Sequence, residues 1–290
     1  MTTATQQISG GASGKSNSTR WLQLVVGVIC MIATANIQYA WTLFVPEIQG
    51  TFGWARAEIQ IAFTIFVLVQ TWLAPIEGYF IDKLGPRLMV AFGAIFIGLA
   101  WVINSQATTL MGFYVGAALG GVGVGSIYAT CINNALKWFP DRRGLAVGLT
   151  AGGYGAGSAA TILPIAAMIK TSGFQETFLF FGILQGSLAF LAAWFLRSPA
   201  KGEVSASAKL VQAARDYTLK EALNTKLFWL MFFMFICVVT GGMMAVAQLG
   251  VIAQDLGVKE FEVDMYFFVM AALPLALMLD RIMNGISRPL

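Results

Sequence analysis

Eight long apolar runs separated by short polar breaks constrain this chain more than any other feature of it. They lie at about 21–45, 57–80, 88–105, 109–136, 144–169, 174–196, 226–254 and 262–290. Each is close to the ~20 residues with which a helix crosses the hydrocarbon of a bilayer. Inside lipid no water completes an unpaired N–H or C=O, so such runs must be helices bonded within themselves. The expected fold class is therefore an all-α membrane protein, a bundle of transmembrane helices. Composition agrees: 58% of the 290 residues are hydrophobic and 11% are charged, against the roughly one-quarter charged residues that cover a water-soluble domain. Trp21, Trp54, Trp138, Trp194 and Trp229 fall at run ends, where amphipathic rings favour the membrane interface.

Several classes of function are disfavoured. The chain has no histidine, which removes the commonest metal ligand and the commonest general base near neutral pH. Cys30, Cys131 and Cys237 are far apart and each lies in an apolar run, a spacing that suits neither a zinc knuckle nor a disulfide framework. There are no paired intramembrane carboxylates and no nucleophile–base motif, so the chain is not expected to be an enzyme. Neither a metal, a cofactor nor a nucleic-acid partner is expected. Gly10-Gly11-Ala12-Ser13-Gly14-Lys15-Ser16 imitates a phosphate-binding loop, but Ser9 stands where the pattern needs its first Gly and no apolar strand precedes it. Residues 1–20, rich in Ser, Thr, Gly and Gln, are expected to form a disordered cytoplasmic tail. The run after Trp21 is too long for a signal peptide and lacks a small-residue cleavage site.

Lys and Arg set the expected orientation. With the N-terminus in the cytoplasm, the inner segments carry Lys15, Arg20, Lys83, Arg87, Lys137, Arg142, Arg143, Arg197, Lys201, Lys209, Arg215, Lys220 and Lys226. The outer loops carry Arg56, Lys170 and Lys259, and Arg281 and Arg288 fall within the last run. Residues 21–196 are read as an N-terminal six-helix bundle and residues 197–225 as a cytoplasmic linker, with an amphipathic helix around 207–223. Residues 226–290 are read as the start of a C-terminal bundle of two helices. Six spans, a linker and further spans are the layout of a two-halved carrier.

Gly78-Tyr79-Phe80-Ile81-Asp82-Lys83-Leu84-Gly85-Pro86-Arg87, between the second and third runs, resembles the loop signature of the major facilitator superfamily at every defined position. Physically, Gly78 would let a neighbouring helix approach, Asp82 would pair with cations or cap a helix start, and Gly85 would allow a sharp turn. With Lys83 and Arg87 these residues form a charged gating loop able to latch one conformation. An ordinary basic turn is the plainer alternative. If Pro289-Leu290 corresponds to Pro75-Ile76, a second copy of the loop would begin just past Leu290, so the chain is expected to stop inside its eighth span. Gly112, Gly116 and Gly120, and Gly144, Gly148, Gly152, Ala156 and Ala160, recur every four residues. That spacing places small residues on one helix face, where backbones pack closely.

Three further segments narrow the resemblance: Asn36-Ile37-Gln38-Tyr39-Ala40-Trp41-Thr42-Leu43, Lys137-Trp138-Phe139-Pro140-Asp141-Arg142-Arg143-Gly144-Leu145-Ala146 and Ala151-Gly152-Gly153-Tyr154-Gly155. From about Trp21 onward the chain resembles the oxalate/formate antiporter family. The resemblance implies the N-terminal portion of a twelve-helix carrier, here about eight spans of a major facilitator superfamily bundle, working as a monomer in the bacterial inner (plasma) membrane. It also implies a small carboxylate anion as the partner, held in an aromatic pocket between an arginine of span eight and a lysine of span eleven. The matching positions are Gln38, Tyr39, Tyr128 and Tyr154, with Arg281 for the span-eight cation; the lysine would fall beyond Leu290. At 1.5 Å per residue Arg281 lies about 20 Å from the cytoplasmic end of its span, a depth at which a bare arginine usually marks a substrate path. Its guanidinium also suits bidentate carboxylate binding. An ion pair with another helix is the alternative role, and Asp280, about 100° away around the helix, is an awkward partner. Glu77 is assigned to the gating network rather than the pocket. Tyr114, Ala117 and Ala118 stand where many members carry a proton-coupling arginine, so carboxylate exchange is favoured over proton-coupled monocarboxylate symport. A membrane receptor or regulator that keeps the fold and moves nothing is the alternative of another class.

Overall fold

The computed structural model describes residues 10–200, 202–204, 221, 223–257, 262–265 and 268–287. Its elements run α1 (Gly10–Thr34), α2 (Asn36–Tyr39), α3 (Trp41–Phe52), α4 (Arg56–Trp72), α5 (Ala74–Gln106), α6 (Leu110–Trp138), α7 (Arg143–Ala156), α8 (Ile162–Ala193), α9 (Lys226–Asp255), β1 (Glu262–Met265), β2 (Phe268–Ala271) and α10 (Ala272–Ser287). Among the described residues, the segments Asn17–Phe52, Ala74–Gln106, Leu110–Trp138 and Ile162–Ala193 are long and apolar enough to cross a membrane. Along α5, Leu88, Phe92, Ile95 and Leu99 are exposed, and Phe180, Ile183, Leu184, Leu188 and Leu191 are exposed along α8. Continuous apolar stripes of this kind are compatible with lipid, not with water.

Most expected spans exist, but several are broken. The first bends at Ala35 and Ala40, giving α1, α2 and α3. Pro46 in α3 cannot donate to the carbonyl of Thr42, which weakens the ladder on that side of the bend. The second span breaks at Leu73, ahead of Pro75. It then turns into the third at Gly85, whose φ of 76° only glycine adopts without strain. The fifth is interrupted at 157–161 and meets the sixth at Gly173, with φ of 81°.

Two expectations are corrected. Half of the tail expected to be disordered is helical, since α1 starts at Gly10; lengthening an existing helix needs no new nucleus. Residues 1–9, and the linker helix expected around 207–223 apart from Glu221 and Leu223, lie outside the described residues. The last span, expected as one helix over 262–290, is a hairpin followed by α10. Its strands pair antiparallel, Glu262 opposite Ala271 and Met265 opposite Phe268. The alternation Phe261-Glu262-Val263-Asp264-Met265 has the period of a strand, and Pro274 falls in the first turn of α10, where it is tolerated.

Glycines set the closest helix crossings, some of them in the expected stripes and some outside them. A Cβ on Gly123 of α6 would sit 2.7 Å from the Gly93 carbonyl oxygen and 2.7 Å from Ile97 of α5. Gly186 of α8 faces Gly98 of α5, its virtual Cβ 3.2 Å from that backbone. Of the expected stripe, Gly112 faces Ala107, Gly116 faces Asn104 of α5, and Gly120 faces Ile37 of α2 and Phe66 of α4. Four residues are more than one turn, so a glycine stripe drifts around the helix and meets successive neighbours. In α7, Gly153 faces Val28 of α1, whereas Gly152 and Ala156 receive Gly285 of α10. At Gly78 a Cβ would meet nothing within 4 Å; no described helix is brought close there, contrary to expectation.

Both ends of the bundle carry polar ties. At one end the Arg20 guanidinium pairs with Asp141 and donates to the Trp138 carbonyl at 2.8 Å. Trp138 is fully buried and donates to the Arg197 carbonyl at 2.9 Å. Arg197 in turn holds Glu203 at 2.6 Å and 2.7 Å, which lowers that carboxyl to a pKa of about 2. The loop resembling the antiporter family thus ties α1 to the end of α8. At the opposite end Arg56, at the start of α4, pairs with Asp255, at the end of α9, at 3.2 Å.

Two outcomes follow from this packing. Gly123→Leu is expected to destabilise the protein by about 1–3 kcal/mol through overpacking, and Gly78→Ala to be neutral or mildly stabilising; heating the detergent-purified protein and following its monodisperse fraction checks both. Because Arg56 and Asp255 are both partly exposed, a cycle of Arg56→Ala and Asp255→Ala read from the same thermal midpoints is expected to give a coupling below about 1 kcal/mol.

Candidate substrate cavity

Three helix breaks bring the site residues together. Gln38 and Tyr39 occupy the four-residue α2 between the bends of the first span. Tyr154 ends the helical part of α7, just before the interruption at 157–161. Glu77 lies one turn beyond the break at Leu73. Where a helix is interrupted, side chains and backbone no longer follow one continuous ladder, and polar groups can be turned into the bundle interior. Polar pairing between the breaks supports them: the Thr161 hydroxyl donates to Asn36 Oδ1 at 2.9 Å.

These residues line one cavity of about 330 Å³. With ~30 Å³ for a water in the liquid, it holds a small organic ion together with several waters. Gln38, Tyr39, Tyr128 and Tyr154 form part of its wall, with Gln70, Thr71 and Glu77 from the second span and Val239 from α9. Tyr154 donates from its hydroxyl to Gln38 Oε1 at 2.5 Å. Its ring centroid lies 5.3 Å from that of Tyr39 and 5.3 Å from that of Tyr128, the latter pair at 85°. Edge contacts of this kind fix ring positions beyond what apolar burial requires.

Arg281 reaches the same group differently. Its side chain is fully buried, and its guanidinium stacks over the Tyr39 ring, 4.2 Å from the centroid. It is absent from the cavity lining. Among the described residues, Nε and both terminal nitrogens make no hydrogen bond. Asp280, expected to be an awkward partner, comes within 2.9 Å of one terminal nitrogen. The long arginine side chain spans the angular separation, yet the contact lacks hydrogen-bond alignment, and Asp280 stays 47% exposed while Arg281 is at 0%. Charge attraction is present, but among the described residues the donors remain unused.

The loop residues stand apart from the cavity. Asp82 accepts from Lys137 at 3.2 Å, tying the turn between the second and third spans to the end of α6. Lys83 lies over the Tyr79 ring at 4.4 Å, and Arg87 over the Trp194 ring at 5.8 Å. Glu77, assigned from sequence to the gating network, instead lines the cavity; its neighbour Gly78 belongs to the loop motif, but Glu77 itself is 5% exposed and turned inward. Gln70 and Thr71 were not singled out in the sequence. The available signal was an acid inside an otherwise apolar run, Leu73-Ala74-Pro75-Ile76-Glu77, since ionisable residues at membrane depth seldom lack a role.

Comparison with known proteins agrees with this architecture. A family model described as Major Facilitator Superfamily matches residues 18–288. The oxalate:formate antiporter of Oxalobacter formigenes is 32% identical over 270 residues, which is 93% of this chain and 62% of that protein. An uncharacterized MFS-type transporter of Escherichia coli, YhjX, is 26% identical over 239 residues, 82% of this chain and 59% of its own length. A probable sulfoacetate transporter of Cupriavidus necator, SauU, is 25% identical over 186 residues, 61% of this chain and 42% of the relative. The chain therefore spans about three-fifths of the length of the first two relatives. Matched by the family model from its first span to α10, and built as a bundle of broken apolar helices around an interior cavity, the chain belongs to the major facilitator superfamily.

Proposed function

We propose that this chain is the N-terminal portion of a carrier that exchanges small carboxylates, of the oxalate or formate kind, by alternating access. The observation that carries the reading is Arg281: a fully buried guanidinium, stacked on Tyr39 beside the cavity, with no hydrogen bond from any of its nitrogens among the described residues. A buried charge without hydrogen-bond partners is costly, and a carboxylate offers the planar two-oxygen acceptor that a guanidinium fork matches. Tyr39, Tyr128 and Tyr154 then form the aromatic wall, and Gln38 presents its amide to the anion from the first break. The similarity to the oxalate:formate antiporter supports the same reading.

In this reading the N-terminus is cytoplasmic, the membrane is the bacterial inner membrane, and residues 21–196 form one rocking half joined by the linker 197–225 to a second half beginning at 226. Gly78, Asp82, Lys83, Gly85 and Arg87 act as the gating loop. The Asp82–Lys137 pair holds that loop to α6 while the inner side is closed, and its release accompanies opening.

Counterflow in proteoliposomes preloaded with oxalate, read as uptake of labelled oxalate or formate, tests the function; the absence of counterflow in the complete carrier would sink it. Arg281→Gln is expected to lower exchange at least tenfold, about 1.4 kcal/mol of lost stabilisation. Arg281→Lys restores only part of it, because a lysine lacks the planar fork. Tyr39→Phe is expected to retain most of the activity and Tyr39→Ala to lose it, since the contact with Arg281 is through the ring face.

A further inference from the structure

The cavity's charged lining residue is an acid. Glu77 is the residue shared by the tyrosine-lined cavity and a second, apolar cavity of about 270 Å³ that runs past Ile76, Phe80, Leu84 and Phe92. Its carboxylate is pressed against α6: a Cβ on Gly125 would come within 2.8 Å of both oxygens, so a glycine at that position makes the room. Ser126 donates to Oε1 at 3.1 Å, and Oε2 makes no hydrogen bond among the described residues.

The groups around it supply no counter-charge. From α6 come Ser126, Gly125 and Tyr128, from α4 Gln70 and Thr71, from α2 Gln38 and Tyr39, from α7 Tyr154 and from α9 Val239. Apart from Glu77 itself, neither cavity is lined by a described Asp, Glu, Lys or Arg, and Arg281 meets the group through the ring of Tyr39. A carboxylate substrate in this space would therefore face a second carboxylate within the same cavity. Two carboxylates that share a site do not both stay ionised; one takes a proton.

We infer that Glu77 is the proton-binding residue of the cavity, taking up one proton on Oε2 when a carboxylate anion enters and donating it as a hydrogen bond to that anion. The inference rests on the carboxylate reading above. The proton comes from solvent and is bound without a change in any other bond; it is released when the anion leaves. Oε1 keeps its bond from Ser126, so Oε2, without a hydrogen bond among the described residues, is the oxygen left to take the proton. Anion movement through this site is then linked to proton movement whichever way the carrier turns.

The test uses the purified complete carrier in weakly buffered detergent solution, with oxalate and formate as probes. Calorimetry measures anion binding, and a pH-indicator dye counts protons taken up. About one proton per bound anion is expected for the unaltered protein, with affinity falling about tenfold for each unit rise in pH across the range where uptake is seen. Glu77→Gln, which preserves the shape beside Gly125 and an acceptor for Ser126, is expected to bind the anion with no proton uptake and no such pH dependence. An infrared difference spectrum should show the carbonyl stretch of a protonated carboxyl on anion binding, and that band should be missing in Glu77→Gln. Binding without proton uptake in the unaltered protein overturns this inference and leaves the carboxylate reading standing. Uptake and band that persist in Glu77→Gln overturn the assignment to this residue. Failure of both anions to bind overturns the carboxylate reading and this inference with it.

Discussion

A backbone carbonyl or amide in hydrocarbon has no partner except the next turn of its own helix, so every interruption of a spanning helix must be compensated from within the bundle. The structure places its interruptions together. The bend at Ala35 and the gap at 157–161 meet directly, and the breaks at Ala40 and Leu73 leave Tyr39 and Glu77 on the wall of one cavity. Thr161 donates to Asn36 across two of them, and a Cβ on Gly157 would approach Ala35 to 2.7 Å and the Ile32 backbone to 2.9 Å. The breaks support one another. Gln38, Tyr39, Glu77 and Tyr154 are all next to a break, which is how polar side chains come to face a cavity in a bundle otherwise sealed by apolar packing.

The rest of the first bundle serves to hold those spans in register. With lipid outside, apolar burial does not favour helix association as it does in water, and close van der Waals packing takes over. Gly93 against Gly123 and Gly98 against Gly186 bring α5 within backbone contact of α6 and α8. An aromatic cluster at the Arg56 end adds to this: Phe44 stacks on Phe178 at 4.0 Å, and Trp101 meets both rings at 6.1 Å and 5.3 Å. At the other end, hydrogen bonds and ion pairs of Arg20, Gln23, Trp138 and Arg197 fix the helix termini, whose carbonyls would otherwise lack partners. The second segment meets this frame through α10, where Gly285 settles on Gly152 and Ala156 and carries Arg281 to the ring of Tyr39.

The site therefore has two charges of opposite sign in different settings. Arg281 comes from beyond the linker, is wholly buried and touches the aromatic wall. Glu77 belongs to the second span and opens onto the cavity itself. In the proposed carrier, whose two segments would separate and rejoin, a cation on one and an acid on the other would let the arrival of an anion change the electrostatic balance between them. That is the kind of differential interaction a conformational change requires.

Run length and composition alone were enough to determine a multi-pass helical protein, because hydrocarbon leaves a long apolar run no other structure. The loop Gly78–Arg87 and the segment around Trp138 were legible as family signatures; Gln38, Tyr39 and Tyr154 sit within recognisable motifs, and Tyr128 joined them through the family resemblance. Which glycines make contact was not legible. A four-residue repeat names a drifting face, and whether that face meets a neighbour depends on the crossing geometry, as Gly78 and Gly123 show from opposite directions. Nor did periodicity separate the last run into a hairpin and α10, because the strand-like alternation covers only a few residues before the apolar pattern resumes. Only the tertiary structure decided that Glu77 faces the cavity instead of the loop. A side chain's direction past a helix break depends on the angle of that break, and the angle is set by the helices packed against it.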